Sequence, residues 1–205
     1  MESGAEVHAH RHTVGHRWID LALALSALIL SVTSIVIAIE NDRAMQRLVT
    51  ANSWPYLQLS HGNALAGAHA LHFDVTNVGI GPAMLEKLVL TYEGQPVGDS
   101  YDLLSRCCGP ESAWGDTNLE INTVSARVLP ARETITFLKV PQQDSNLDFW
   151  KRLDAARFKI GMAVCYSSVF GEHWITTLGE ARARSVKSCD ALPGAPYLSG
   201  RSPHQ

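Results

Sequence analysis

Charge is missing from one stretch of this 205-residue chain: the nineteen residues from Leu21 to Ile39 contain no Asp, Glu, Lys or Arg. Also missing are the H-E-x-x-H, G-x-S-x-G and Walker patterns, which removes the commonest signatures of metalloproteases, α/β-hydrolases and phosphate-loop enzymes. No basic stripe occurs and the net charge is −3, so nucleic acid is not an expected partner. The cysteines do not fall into a C-x-x-C…C-x-x-C spacing, so no zinc site is expected. Nothing in the chain calls for a cofactor or a metal, and it reads as non-enzymatic.

What fills the uncharged stretch is apolar. Eleven of its nineteen residues are Leu, Ile or Val, and as a helix it spans about 28 Å, close to the roughly 30 Å of a bilayer core. Those eleven side chains favour insertion by about 3–6 kcal/mol. Ser26, Ser31, Thr33 and Ser34 are tolerable there because their hydroxyls can bond helix carbonyls. A cleaved signal peptide would have a shorter apolar region and a small-x-small site, whereas this run ends Ile35-Val36-Ile37-Ala38-Ile39-Glu40. A buried helix of a soluble protein would show amphipathic flanks, and these do not. The expectation is an uncleaved transmembrane helix over 19–40, with residues 1–18 as a cytoplasmic leader. Arg11 and Arg17 on one side tie with Arg43 and Arg47 on the other. The short basic leader then favours a cytoplasmic N-terminus in the inner (plasma) membrane, with the C-terminal domain periplasmic.

One face of this helix is small. Ala24, Ala27, Ser31, Ser34 and Ala38 share a sector about 80° wide at 100° per residue, which makes them a candidate face for packing on another membrane helix. The leader holds His8, His10, His12 and His16. Alternating histidines can chelate a metal, but a flexible tail pays the full ordering entropy, so they read as solvated.

Residues 41–54 contain no Gly or Pro and read as a helical stalk, ended by Trp54-Pro55-Tyr56 because Pro55 disfavours helix in the residue before it. From Tyr56 the hydrophobic period changes to two. Strands are expected at 56–60, 71–76, 85–92, 121–128, 134–140, 158–166 and 173–178, with a loop over 61–68. Short helices are expected at 99–108 and 147–157. The domain is placed at 55–178. The Pro-, Gly- and Ser-containing residues 179–205 read as a mostly disordered tail. Seven or so short strands joined by tight turns argue for a mainly β fold, a β-sandwich with two short helices.

Two turns and four cysteines carry most of the local information, and one of the turns, Glu93-Gly94-Gln95-Pro96, reads as a tight hairpin-like connection. Asn77, Gly79, Gly81 and Pro82 read as a structural turn: the glycines permit positive φ, Pro82 fixes φ, and Asn77 can bond the turn's own backbone. Cys107 and Cys108 are neighbours, and bonding neighbours is strained. Each has Cys165 or Cys189 as a distant alternative, and buried free thiols remain the other reading. Trp114, among Gly and acidic residues, is either an exposed interface aromatic or a plug at the end of the sandwich. Asp116-x-Asn118-x-Glu120 starts like a calcium loop but lacks its Gly and its twelfth-position Glu. His72 and His173 read as solvent-side or satisfied histidines, and Tyr166 with Trp174 as a cross-strand pair.

The stretch Leu71–Val97, with its Asn-x-Gly-x-Gly-Pro-Ala turn, resembles immunoglobulin-like modules of bacterial surface proteins. The wider order of anchor, Trp-Pro, that turn and Cys165-Tyr166-Ser167-Ser168-Val169-Phe170-Gly171-Glu172-His173-Trp174 resembles uncharacterised bacterial single-pass membrane proteins with such a domain outside the cytoplasm. The resemblance implies an Ig-like β-sandwich and single-pass topology, and no reaction. The expected function is protein interaction or assembly at the cell envelope, with the bilayer and a second copy or a partner membrane protein as partners. The alternative is a ligand-binding or sensory ectodomain working with a partner membrane protein.

Overall fold

The computed structural model describes residues 16–199; His8, His10 and His12 lie outside them. Helix α1 runs unbroken over His16–Asn52, so the expected anchor and stalk are one element. Every side chain described in it, from Arg17 to Asn52, is exposed, and its apolar window is long enough to cross a membrane. The β-branched run Ile35-Val36-Ile37 lies inside this helix although such residues lower helix propensity in water. Ser26, Thr33 and Ser34 donate to the carbonyls of Leu23, Ile29 and Leu30 at 2.7–2.8 Å, so these hydroxyls are satisfied within the helix.

The remainder, from Thr50, is a separate compact unit. Its strands are β1 Leu57–Leu65, β2 Ala68–Asn77, β3 Ala83–Tyr92, β4 Gln95–Val97, β5 Glu120–Ile121, β6 Arg127–Leu129, β7 Thr134–Pro141, β8 Ile160–Ser167, β9 His173–Thr177 and β10 Arg184–Val186; its longer helices are α2 Ser100–Cys108 and α3 Leu147–Ala156. They form two antiparallel sheets. One has the order β1-β2-β7-β5; the other has the order β10-β9-β8-β3-β4, with β6 also on β3. A single buried cluster draws Leu57, Leu71, Phe73 and Val75 from the first sheet, Leu85, Leu88, Leu90 and Val164 from the second, and Leu104, Phe149 and Leu153 from the helices. Each such side chain contributes about 1.5–3 kcal/mol by leaving water.

The local chemistry explains the elements. Ala66 and Gly67 both have positive φ, the geometry of a two-residue hairpin loop whose twist matches its strands. That turn lets β1 continue to Leu65, so the expected loop over 61–68 is mostly strand. Glu93 and Gly94 make the same kind of turn between β3 and β4. Asp99 caps α2, its Oδ1 accepting from the Asp102 N–H at 2.9 Å, and this satisfies one orphan donor of the first turn. The expected strand over 121–128 is instead two fragments. β5 lies on β7 in the first sheet and β6 on β3 in the second, because the chain crosses between sheets around the buried Val124.

The C-terminal segment is the largest departure from the sequence reading. Residues 179–199 are not a disordered tail but a strap across the second sheet. Lys87 Nζ donates to the Leu192 carbonyl at 2.7 Å, the Tyr197 N–H to Leu88 O at 2.7 Å, and the Leu198 N–H to Gly98 O at 2.8 Å. Leu192 packs with Val89, Cys165 and Ile175 in a second buried cluster. Tyr197 is buried, its hydroxyl bonded to Ser100 Oγ, and burial pushes its pKa well up. A few apolar and sulfur anchors outweigh the polar composition of the segment. The folded domain therefore reaches at least Ser199.

Candidate functional site

The turn after β2 joins three parts of the domain at the end where the chain enters from α1. Asn77 is fully buried. Its Oδ1 accepts from the N–H groups of Gly79 (3.0 Å) and Tyr56 (3.3 Å), and its Nδ2 donates to the carbonyls of Gly81 (2.8 Å) and Leu129 (3.0 Å). Its own N–H donates to Glu133 O, and its carbonyl accepts from the Arg132 N–H. Two donors and two acceptors of the amide are all used. The expected structural turn is present, but its glycines act differently from the expectation. Neither Gly79 nor Gly81 is among the positive-φ residues. A Cβ on Gly79 would land on the backbone of Trp54, Pro55 and Tyr56, and one on Gly81 on the backbone of Ser53. The glycines allow two chain segments to touch, and the Ile80 and Gly81 N–H groups both donate to Trp54 O at 3.1–3.2 Å.

Trp114 is not an exposed interface residue. It is 4% exposed, stacks between Tyr101 and Phe149 at ring distances of 6.1 and 5.4 Å, and donates its Nε1–H to Gly109 O at 2.7 Å. The short α2 and α3 close over it, which the polar composition of its own loop does not reveal. The cysteines pair as Cys107–Cys108 and Cys165–Cys189. The neighbouring pair thus bonds to itself, against the steric expectation. Cys165 on β8 and Cys189 in the strap take each other.

The remaining candidates have partners within the fold. His72 Nδ1 lies 2.7 Å from Asp74 Oδ2, and His173 Nε2 lies 3.2 Å from Glu86 Oε1. Tyr166 and Trp174 are cross-strand partners stacked at 5.9 Å, and burial raises the Tyr166 pKa. His61 is lowered by partial burial, then by the Arg157 guanidinium and His72. Glu120 pairs with Lys139 at 2.8 Å rather than joining an acidic loop. Among the described residues no three His, Cys, Asp or Glu side chains gather as metal ligands. An open groove of about 570 Å³ lies beside His69, Lys139 and Asp144 at the β1–β2 hairpin. On α1, Ala24, Ala27, Ser31, Ser34 and Ala38 are all exposed.

Sequence reasoning missed a different gathering. Outside α1, Phe158 and Leu198 are exposed, as are seven further large apolar side chains: Trp54, Val78, Ile80, Met84, Val128, Val169 and Phe170. Topology brings these seven to one end. Val78 and Ile80 flank Gly79 in the turn held on Trp54. Met84 opens β3 and faces Val128 on one side and Ser167 on the other. Val169 and Phe170 form the tip of the β8–β9 hairpin that follows Ser167. The signal in the sequence was two adjacent apolar residues in a turn, Val169-Phe170, where turns are ordinarily polar. No protein-family model matches this chain, and no curated protein shows significant similarity to it.

Proposed function

We propose that this chain is a membrane-anchored, non-catalytic β protein that serves assembly at the cell envelope, with α1 in the inner (plasma) membrane, the N-terminus cytoplasmic and an Ig-like β-sandwich outside. The observation that carries the reading is α1: thirty-seven residues of helix with every described apolar side chain exposed, which only lipid or another helix can cover. Two disulfides in the domain support the extracytoplasmic placement, since disulfides persist in oxidising compartments. Two antiparallel sheets sharing one apolar cluster support the sandwich. The small-residue face of α1 gives a route to a second copy or a partner membrane protein.

The test is fractionation followed by purification of the full chain in detergent. The chain is expected in the membrane pellet, shaved from outside by protease, and with one stoichiometric protein companion or itself as companion. Recovery in the supernatant without detergent overturns the anchoring. A ligand-binding ectodomain would use the groove beside His69 and Lys139, and a ligand-dependent rise in melting temperature would favour that reading.

A further inference from the structure

The two disulfides differ in what folding does for them. Cys165 and Cys189 have a sequence separation of 24, so the fold must bring them together, and the fold favours the bond as much as the bond favours the fold. Cys107 and Cys108 have a sequence separation of 1. They are neighbours in the unfolded chain too, so the loop-closure contribution vanishes and folding does little to hold that bond closed. Each pair has one buried and one partly exposed member, Cys108 with Cys107 and Cys165 with Cys189. Loop closure rather than access therefore separates them. We infer that Cys107–Cys108 is a reversible thiol–disulfide exchange site, opened by a dithiol while Cys165–Cys189 stays closed, and that its opening frees the near end of the Trp114 loop. The inference goes beyond the anchored reading and does not depend on it.

The exchange balances. One thiolate of the dithiol attacks Sγ of the partly exposed Cys107, and the Cys108 thiolate leaves and takes up a proton. The second thiolate of the dithiol attacks its own partner sulfur in the mixed disulfide and expels Cys107, which takes up the second proton. One S–S bond breaks in the chain, one forms in the reductant, and two electrons and two protons pass to the chain. The pair stands where three parts of the domain are tied. Cys108 O accepts from Arg152 Nε of α3 at 3.0 Å, Gly109 O accepts from the Trp114 Nε1–H at 2.7 Å, and the Gly109 N–H donates to Ser105 O at 3.2 Å. The closed ring through both side chains and their shared peptide fixes ψ of Cys107 and φ of Cys108. Opening restores rotation there, and the carbonyls used by Arg152 and Trp114 lose their fixed aim. The far end of the loop is held independently. Asn146 Nδ2 donates to Asp116 O at 3.2 Å, and a Cβ on Gly115 would land on Ser145 O. Opening thus changes one end of the loop and leaves the domain folded.

The test uses the full chain, purified in detergent without reductant and equilibrated against graded ratios of reduced to oxidised dithiothreitol. Free thiols are blocked with N-ethylmaleimide, and the unfolded product is cut with trypsin. Cys107 and Cys108 leave on one peptide, residues 107–127. That peptide is expected to gain two maleimides at a ratio at least about tenfold lower than the one that labels Cys165 and Cys189. Excess oxidised dithiothreitol should close the pair again. At the ratio that opens only this pair, tryptophan emission should shift, the shift should be absent in Trp114→Phe, and the melting temperature should fall by less than about 4 °C. Cys107→Ser/Cys108→Ser gives a second reading with Trp114 intact: its emission should match the reduced chain and ignore dithiothreitol. Two labels on residues 107–127 before any reductant, Cys165–Cys189 opening first or together with it, or failure to close again overturns the inference. So does an opened pair with unchanged emission, a shift that survives Trp114→Phe, or a double-Ser chain that emits like the oxidised one.

Discussion

Leu30 and Leu90 are the same residue in opposite conditions. Leu30 on α1 is 67% exposed and Leu90 on β3 is 0% exposed. In the β domain, apolar side chains are removed from water by the chain's own folding. In α1 they are left for an external solvent to remove. The difference shows that the apolar pattern, rather than apolar content, decides which kind of burial a segment needs: period two with turns folds on itself, while an unbroken run is long and apolar enough to cross a membrane.

The comparison can be broken by exchanging small side chains between the two regions. Leu90→Ala should destabilise the domain by about 2–5 kcal/mol, seen as a lower melting temperature with membrane retention unchanged. Leu30→Ala should leave the domain's melting temperature unmoved and cost only about 0.5 kcal/mol of insertion. If Leu30→Ala melts the domain, α1 belongs to its core and the contrast fails.

The disulfides sharpen the contrast within the domain. Cys165–Cys189 has a sequence separation of 24, so losing it as a double Ala variant should cost about 3 kcal/mol from loop closure. Cys107–Cys108 encloses almost no chain, and its removal should cost under about 1 kcal/mol on the same reasoning. Reducing agent should reproduce the first loss in thermal melts while membrane association persists. Equal costs for the two pairs would mean that Cys107–Cys108 holds α2 in a way its separation does not show.

The smallest effect is on pH. His61 has a folded-state pKa lowered by partial burial, then by Arg157 and His72. Below the ordinary histidine range the unfolded chain takes up a proton that the folded domain resists, so stability falls as pH drops through that window. His61→Gln should flatten the slope of melting temperature against pH just below 6.5 and leave it unchanged at pH 8. An unchanged slope would remove His61 as a source of acid sensitivity.

Much of the frame was legible and the reasons are local. α1 announced itself by its uncharged run and the β3–β4 turn by Glu93-Gly94, and α2 was expected over 99–108. Asn77 was recognised as a turn residue, but two of its four side-chain hydrogen bonds reach Tyr56 and Leu129, distant in sequence, so its full role needed the fold. Gly79 and Gly81 were read for φ when close approach to Ser53–Tyr56 was the cause; sequence does not say which of glycine's two freedoms is used. Trp114 was ambiguous because burial depends on α2 and α3 closing from elsewhere. The strap was missed because its composition is polar, while three anchors, Cys189, Leu192 and Tyr197, hold it. The apolar end of the domain left only one trace in the sequence, Val169-Phe170, because its members come from four separate segments.

The strap has a practical corollary. It docks on β3 and β8, which are synthesised earlier, so those strands carry bare apolar surface until this later segment emerges and lands. Any version of the chain cut after Thr177 would leave Val89 and Ile175 uncovered and Cys165 without its sulfur partner. A reporter or affinity tag is therefore better appended beyond Ser199 than substituted for anything between Arg184 and Tyr197.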